Sequence, residues 1–366
     1  MPKLKEAVSI IVDNRGKNPP YYTTDGIPVI DNYLITNNYY PDLSSVNRYI
    51  DSNLFNNFIR CKSRKDDVLV TLVGNGLGNI CLCPENAVII QNTIGLRFDK
   101  NKALQKYMYY QLLTKNKEMR GLNRGASQPS AKVSDLLDLE IKLDNLETQR
   151  HIVNTIGSVD DLIECNNKFL RAAQQLLSIK YKSYCLFIDE KSELSLLVER
   201  TGKILKNKEW FNSKIIDLST MPNDNIFIDD FSDGDNFTTN VKTVNDMDLL
   251  YGSIRPYFKK AGFNWNSKYI AGSVYSFSPK HESDFLWILA TICSDDFHKY
   301  TASNSQGTKM PIINWDTFIR YKVPYSKQIS EKFTKELKPL FMKAVLKLKQ
   351  NEILKTIKKK LLEKYF

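Results

Sequence analysis

Two short stretches carry residue types that could do chemistry. Asn18-Pro19-Pro20-Tyr21 has the form of a loop that holds a target amino group. In such a loop the Asn side chain and a proline carbonyl accept hydrogen bonds while the aromatic ring stacks on a flipped base. Gly74-x-Gly76-x-Gly78, after the apolar run Val68–Val73, has the form of a glycine-rich turn that lets backbone approach a cofactor. Together they would amount to methyl transfer from S-adenosylmethionine to adenine. Their surroundings argue otherwise. A cofactor turn of this kind opens a helix, followed by a strand that ends in an acidic residue. Here Asn79-Ile80-Cys81-Leu82-Cys83-Pro84 alternates like a strand and stops at a proline. A turn at Asn18–Tyr21 and a hairpin around Gly74–Gly78 are the simpler expectation.

Other catalytic patterns fail too. G-x-S-x-G, G-x-x-x-x-G-K-[ST] and H-E-x-x-H are all missing from the sequence. His151, His281 and His298 show no H-x-x-x-H spacing, and the six cysteines show no C-x-x-C. A zinc site is therefore not expected, and the cysteines read as reduced thiols of a cytoplasmic protein. The Asp-Asp pairs at 66–67, 160–161, 229–230 and 295–296 read as solvated loops or helix caps.

The elements that would position any site belong to an ordinary soluble protein, at 42% hydrophobic and 25% charged residues. A length of 366 residues suggests two or three domains. The longest charge-free run, between Asp67 and Glu85, is broken by three glycines and Pro84, so no membrane helix is expected. The first residues lead into no apolar core of signal-peptide type. The net charge of +11 permits a nucleic-acid partner without establishing one.

The chain repeats itself. Asp67-Val68-Leu69-Val70 resembles Asp248-Leu249-Leu250-Tyr251, a shift of 181, and Gly125-x-x-x-Pro129 resembles Gly307-x-x-x-Pro311, a shift of 182. Ile152, Ile156, Val159, Ile163 and Asn166 find Leu337, Phe341, Ala344, Leu348 and Asn351 at a shift of 185. Half the chain is 183 residues, so the sequence reads as two copies of one unit. In each copy, short runs rich in β-branched and aromatic residues precede a helix. Such runs lie at Asp67–Val73, Ala87–Ile90, Ile226–Phe231 and Tyr269–Phe277, with helices near Lys102–Thr114 and Asp284–Ser294. This is an α+β pattern in which strands dominate.

Residues 147–188 differ. Ile152, Ile156, Val159, Ile163, Asn166, Leu170, Ala173 and Leu177 alternate in steps of four and three. That seven-residue repeat keeps one apolar seam facing a partner helix. Asn166 on this seam, like Asn351 on the second, is the polar residue that fixes register in coiled coils. The two helices most simply pack on each other, as a rod of ~60 Å at ~1.5 Å per residue that Gly157 is placed to kink.

This architecture resembles the specificity subunit of type I restriction–modification systems. Asp13-Asn14-Arg15-Gly16-Lys17-Asn18-Pro19-Pro20 is similar to the opening of a target recognition domain, and Gly125-Ala126-Ser127-Gln128-Pro129 to its close. Glu147-Thr148-Gln149-Arg150-His151-Ile152 is similar to the start of the first conserved helical region. The second copy keeps less, with Gly307-Thr308-Lys309-Met310-Pro311 preserving only the glycine and proline. The resemblance implies two similar strand-rich α+β target recognition domains, 1–145 and 190–326. Two long helices, 146–189 and 327–366, would separate them as an antiparallel coiled coil with pseudo-two-fold symmetry.

The resemblance also implies a subunit with no catalysis and no cofactor of its own, which reads bipartite double-stranded DNA. Two methyltransferase subunits, expected to bind S-adenosylmethionine, would dock on it, and restriction–translocase subunits could join. Base readers should be long polar side chains on loops. The candidates are Arg15, Lys17, Asn75, Arg124, Ser127 and Gln128 in the first domain. In the second they are Arg255, Tyr257, Lys259, Lys260, Asn304, Gln306, Thr308 and Lys309. A free-standing adenine methyltransferase and a coiled-coil adaptor that no longer reads DNA are the alternatives. Residues 327–366 hold twelve Lys against four acidic residues, so most of the net charge lies in that last helix rather than in either domain.

Overall fold

The computed structural model describes residues 1–125, 127–205, 208–238 and 240–366. They form two compact units, Met1–Leu162 with Leu354–Phe366, and Ile163–Ile353.

The first unit is built on a four-stranded antiparallel sheet. Its core strands are Val68–Thr71 and Thr93–Phe98, with Val68 facing Leu82 on one side and Leu96 on the other. Both are apolar over nearly their whole length because both faces are covered. Val8–Val12 and Ile80–Leu82 complete the sheet at its edges. The helix Gln105–Thr114 buries Tyr107, Met108, Tyr109, Tyr110 and Leu112 in the same core. A smaller sheet pairs Ile27–Ile30 antiparallel with Tyr49–Ile50 and parallel with Val88–Ile89.

The second unit repeats this plan. Leu249–Gly252 pairs antiparallel with Ala261–Phe263 and with Val274–Pro279, which in turn pairs with Val198–Arg200. Three of these strands begin 181 residues after their counterparts in the first unit. The small sheet recurs as Ser232–Asp233, Lys214–Ile216 and Tyr269–Ala271, again with one parallel pair, and gains a fourth strand at Val241–Thr243. Internal duplication is thus a property of the fold as well as of the sequence.

One expected strand does not form. Ile226–Phe231 lies outside every sheet, although Ile226, Phe227 and Ile228 are buried. Side chains take the place of a partner strand there. Gln174 accepts a hydrogen bond from the Ile226 amide at 3.1 Å, and the Trp265 indole donates to the Ile228 carbonyl at 2.5 Å.

Two long helices complete the chain, Leu146–Cys185 and Lys327–Tyr365. The first runs unbroken through Gly157. An added Cβ at Gly157 would meet the Tyr110 hydroxyl at 3.7 Å, an ordinary contact, so the position has room for a small side chain. In the second unit Leu170, Ala173, Leu177, Leu337, Phe341, Ala344 and Leu348 share one core. Asn166 meets Asn351 there while Lys180 meets Glu336, so the helices run antiparallel. In the first unit Ile152 and Ile156 are fully buried, but Val159 is only half-buried, as is Ile163 at the start of the second. The buried position beside Val159 belongs to Asp160, which accepts hydrogen bonds from Lys358 at 2.7 Å and from Tyr110 at 2.8 Å.

Candidate nucleic-acid interface

In the first unit the turn between Val68–Thr71 and Ile80–Leu82 is a hairpin, with no helix behind it. This removes the structural basis for a cofactor loop at Gly74–Gly78. Gly74 and Gly78 both adopt left-handed backbone, φ +97° and +81°, where glycine carries no Cβ penalty. The turn is locked to the loop 123–131. The Gly74 amide donates to the Pro129 carbonyl at 2.8 Å, and the Ala131 amide donates to the Leu72 carbonyl at 2.9 Å. The Asn123 side chain accepts from the Gly125 and Ser130 amides, which fixes the loop's own bend. Asn75, Ser127 and Gln128 therefore stand exposed on one joined loop pair, while Ala126 lies outside the described residues.

Arg15 and Lys17 lie in another neighbourhood. Arg15 grips Asp13 through two hydrogen bonds of 3.0 and 2.8 Å, and this partner holds the Asp13 carboxyl below its ordinary range. The Lys17 ammonium sits 4.4 Å from the centre of the Phe58 ring. Tyr21 donates to Asp51 at 2.8 Å, which ties Asn18–Tyr21, an irregular stretch with a bend at Pro20, to its own domain. Arg124 is engaged as well, through bonds of 2.7 and 2.8 Å to both oxygens of Asp135.

The second unit carries the equivalent loop pair. The Arg255 amide donates to the Pro311 carbonyl at 2.7 Å and the Ile313 amide to the Ser253 carbonyl at 3.0 Å. Gln306 and Ile312 exchange two backbone hydrogen bonds that close the turn at Gly307. Arg255 and Lys259 occupy the places of Gly74 and Gly78, 181 residues on, and keep the left-handed backbone at φ +52° and +53°. For a residue with a side chain this conformation costs about 1–2 kcal/mol.

Tyr257, Gln306, Thr308 and Lys309 are exposed on this loop pair. Three other candidates are committed within the chain. The Lys259 ammonium pairs with Asp295 at 2.9 Å, which raises its pKa. The Lys260 ammonium donates to the carbonyls of Leu218 and Met221, and burial lowers its pKa. Asn304 caps its helix by donating to the Tyr300 carbonyl at 2.8 Å. Lys259 and Lys260 thus each have a partner within the chain. Sequence reasoning also passed over Phe258, Met310 and Ile312, which the same two loops leave exposed. Their only signal was apolar type inside a turn.

Among the described residues, no group of three or more His, Cys, Asp or Glu is placed to hold a metal ion. No helix among them is long and apolar enough to cross a membrane.

Residues 4–175 match the family described as "Type I restriction modification DNA specificity domain". No curated protein matches the sequence. Among solved structures, the chain is similar to the type I restriction–modification S subunit from M. genitalium. The TM-score is 0.59 at 17% identity, over 100% of this chain and 95% of that one. At that identity the likeness is one of fold. The HsdS subunit from Thermoanaerobacter tengcongensis aligns over 99% of this chain and 95% of its own, at 15% identity and a TM-score of 0.36.

Proposed function

Through residues 4–175 this chain belongs to the type I restriction–modification DNA specificity family, and we propose that it reads a bipartite DNA target with one half-site for each unit. It is a DNA-specificity subunit. The observation that carries the bipartite reading is the recurrence of one joined loop pair in both units. Gly74 bonds Pro129 in the first as Arg255 bonds Pro311 in the second. The exposed side chains on the two pairs differ, so the two half-sites differ in sequence. Exposed loop amides such as Asn75 and Gln128 suit adenine, and arginine suits guanine.

In this reading catalysis and S-adenosylmethionine belong to methyltransferase subunits docked on the helices, and restriction–translocase subunits complete the nuclease. The helices supply a surface for such a partner. In the second unit Cys165, Ala172, Leu176 and Ile179 are exposed, and with half-buried Phe169 they repeat the four–three spacing of the inner seam. Met342, Leu346 and Ile353 are exposed on the other helix. A second apolar line on a helix whose first is already buried fits a helical partner. The length of the helices would then set the spacer between half-sites.

Exchange of residues 1–145 for those of a relative tests the reading. Methylation-sensitive sequencing should show one half-site changed and the other retained, and a change in both would refute it. Leu176→Glu with Leu346→Glu should abolish co-purification with methyltransferase subunits while the chain stays folded.

A further inference from the structure

The loop pair of the second unit differs from that of the first in one consistent way. Tyr257, Phe258, Met310 and Ile312 are 52%, 38%, 52% and 44% exposed. At the equivalent places the first unit has Gly76, Leu77, Gln128 and Ser130, and Leu77 is only 4% exposed. Large apolar side chains at a loop tip forfeit the free energy that burial would return. The two loops are held together, since Arg255 bonds Pro311 at 2.7 Å through its amide and Lys309 at 3.5 Å through its guanidinium. Lys309 forms no ion pair among the described residues. Arg255 and Lys259 hold a backbone strain that the first unit avoids with glycine. Apolar surface and cations are thus presented together.

We propose that the second unit reads thymine. Tyr257, Met310 and Ile312 form an apolar contact for thymine methyl groups in the major groove, and Arg255 and Lys309 bind the flanking phosphates. Among the four bases only thymine offers a methyl group at the major-groove edge, and apolar contact is how side chains read it. The phosphates beside it account for the cations. The same loop pair in the first unit carries amides, so chemistry rather than position separates the two readers. This assignment rests on the DNA-reading function proposed above and adds the class of base.

The test uses the full chain assembled with methyltransferase subunits, on duplexes carrying the mapped target. Each thymine in the half-site of the second unit is replaced in turn by deoxyuridine, which removes one methyl group and nothing else. Binding should weaken about fourfold at each contacted position, and replacements in the other half-site should have no effect. Tyr257→Ser with Met310→Ser should bind the two duplexes alike. A half-site without thymine, or an assembled complex indifferent to deoxyuridine, overturns the assignment. So does a double variant that retains the preference. Loss of assembly in that variant, with the preference unchanged in whatever complex remains, would make the patch a protein-docking surface and also overturns it. Failure of the DNA-reading function would look different, since exchange of the second unit would then change neither half-site.

Discussion

The side-chain amide of Asn166 donates a 2.8 Å hydrogen bond to the side-chain oxygen of Asn351, 185 residues away. Asn351 in turn donates to Asn167 at 2.8 Å. Both Asn166 and Asn351 are buried in a seam otherwise lined by Leu, Ala and Phe. A polar pair in such a seam disfavours any other alignment of the two helices, because a slip would bury both amides against hydrocarbon.

Asn166→Leu alone should therefore destabilise the protein by about 1–3 kcal/mol, because the buried side-chain oxygen of Asn351 loses its donor. Asn166→Leu with Asn351→Leu should recover most of that loss. Chemical denaturation of the two variants checks this, and a double variant less stable than the single one would contradict it.

Lys358 and Asp160 form the corresponding polar lock of the first unit, at 2.7 Å and with side chains 14% and 4% exposed. Lys358→Met removes the cation bonded to a buried carboxylate that Tyr110 also bonds. The expected loss is about 3–5 kcal/mol, as for other broken buried pairs. Lys358→Met with Asp160→Leu should lose much less. Thermal unfolding of both variants distinguishes a true pair from two independent contributions.

His298 should make the second unit sensitive to acid. Burial pushes its imidazole pKa down to about 4, with the Lys259 charge adding to the effect. In the unfolded chain the imidazole takes up its proton near pH 6.5. Between pH 6.5 and 4 only the unfolded state binds that proton, so stability is full above this window and falls as pH falls through it. The loss should be about 1–3 kcal/mol. His298→Gln should flatten this part of the stability–pH curve, and an unchanged curve would show that the loss arises elsewhere.

Arg255→Gly separates strain from function. Glycine adopts φ +52° freely, so folding stability should be unchanged or higher by up to about 1 kcal/mol. Affinity of the assembled complex for its DNA should fall all the same, because the guanidinium is gone. Differential scanning calorimetry and a salt-titrated binding curve read the two effects separately.

Much of the fold is legible in the residues themselves. Period decides helix against strand, so the four–three spacing of Ile152 to Leu177 marks a long helix. The run Val68–Val73 likewise marks a covered strand. Burial along the helix was not legible at Asp160. A carboxylate in that position can be buried only because Lys358 and Tyr110, distant in sequence, come to it. The apolar run Ile226–Phe231 misled for a related reason. Its amide and carbonyl groups find Gln174 and Trp265 rather than a neighbouring strand, and local sequence holds no trace of those partners.

The sequence by itself determined the duplication, the strand-rich character of each copy and the asparagine that each long helix brings to its seam. These follow from residue type and spacing, which act over a few turns of chain. Only the tertiary structure decided which cations have partners within the chain. Asp295 stands beside Lys259, and the carbonyls of Leu218 and Met221 beside Lys260, and none of these is a near neighbour in sequence. Only the tertiary structure joined the loop of Tyr257 to that of Met310, through the Arg255 amide and the Pro311 carbonyl. Charge and exposure depend on neighbours brought together by folding, and spacing along the chain does not encode them.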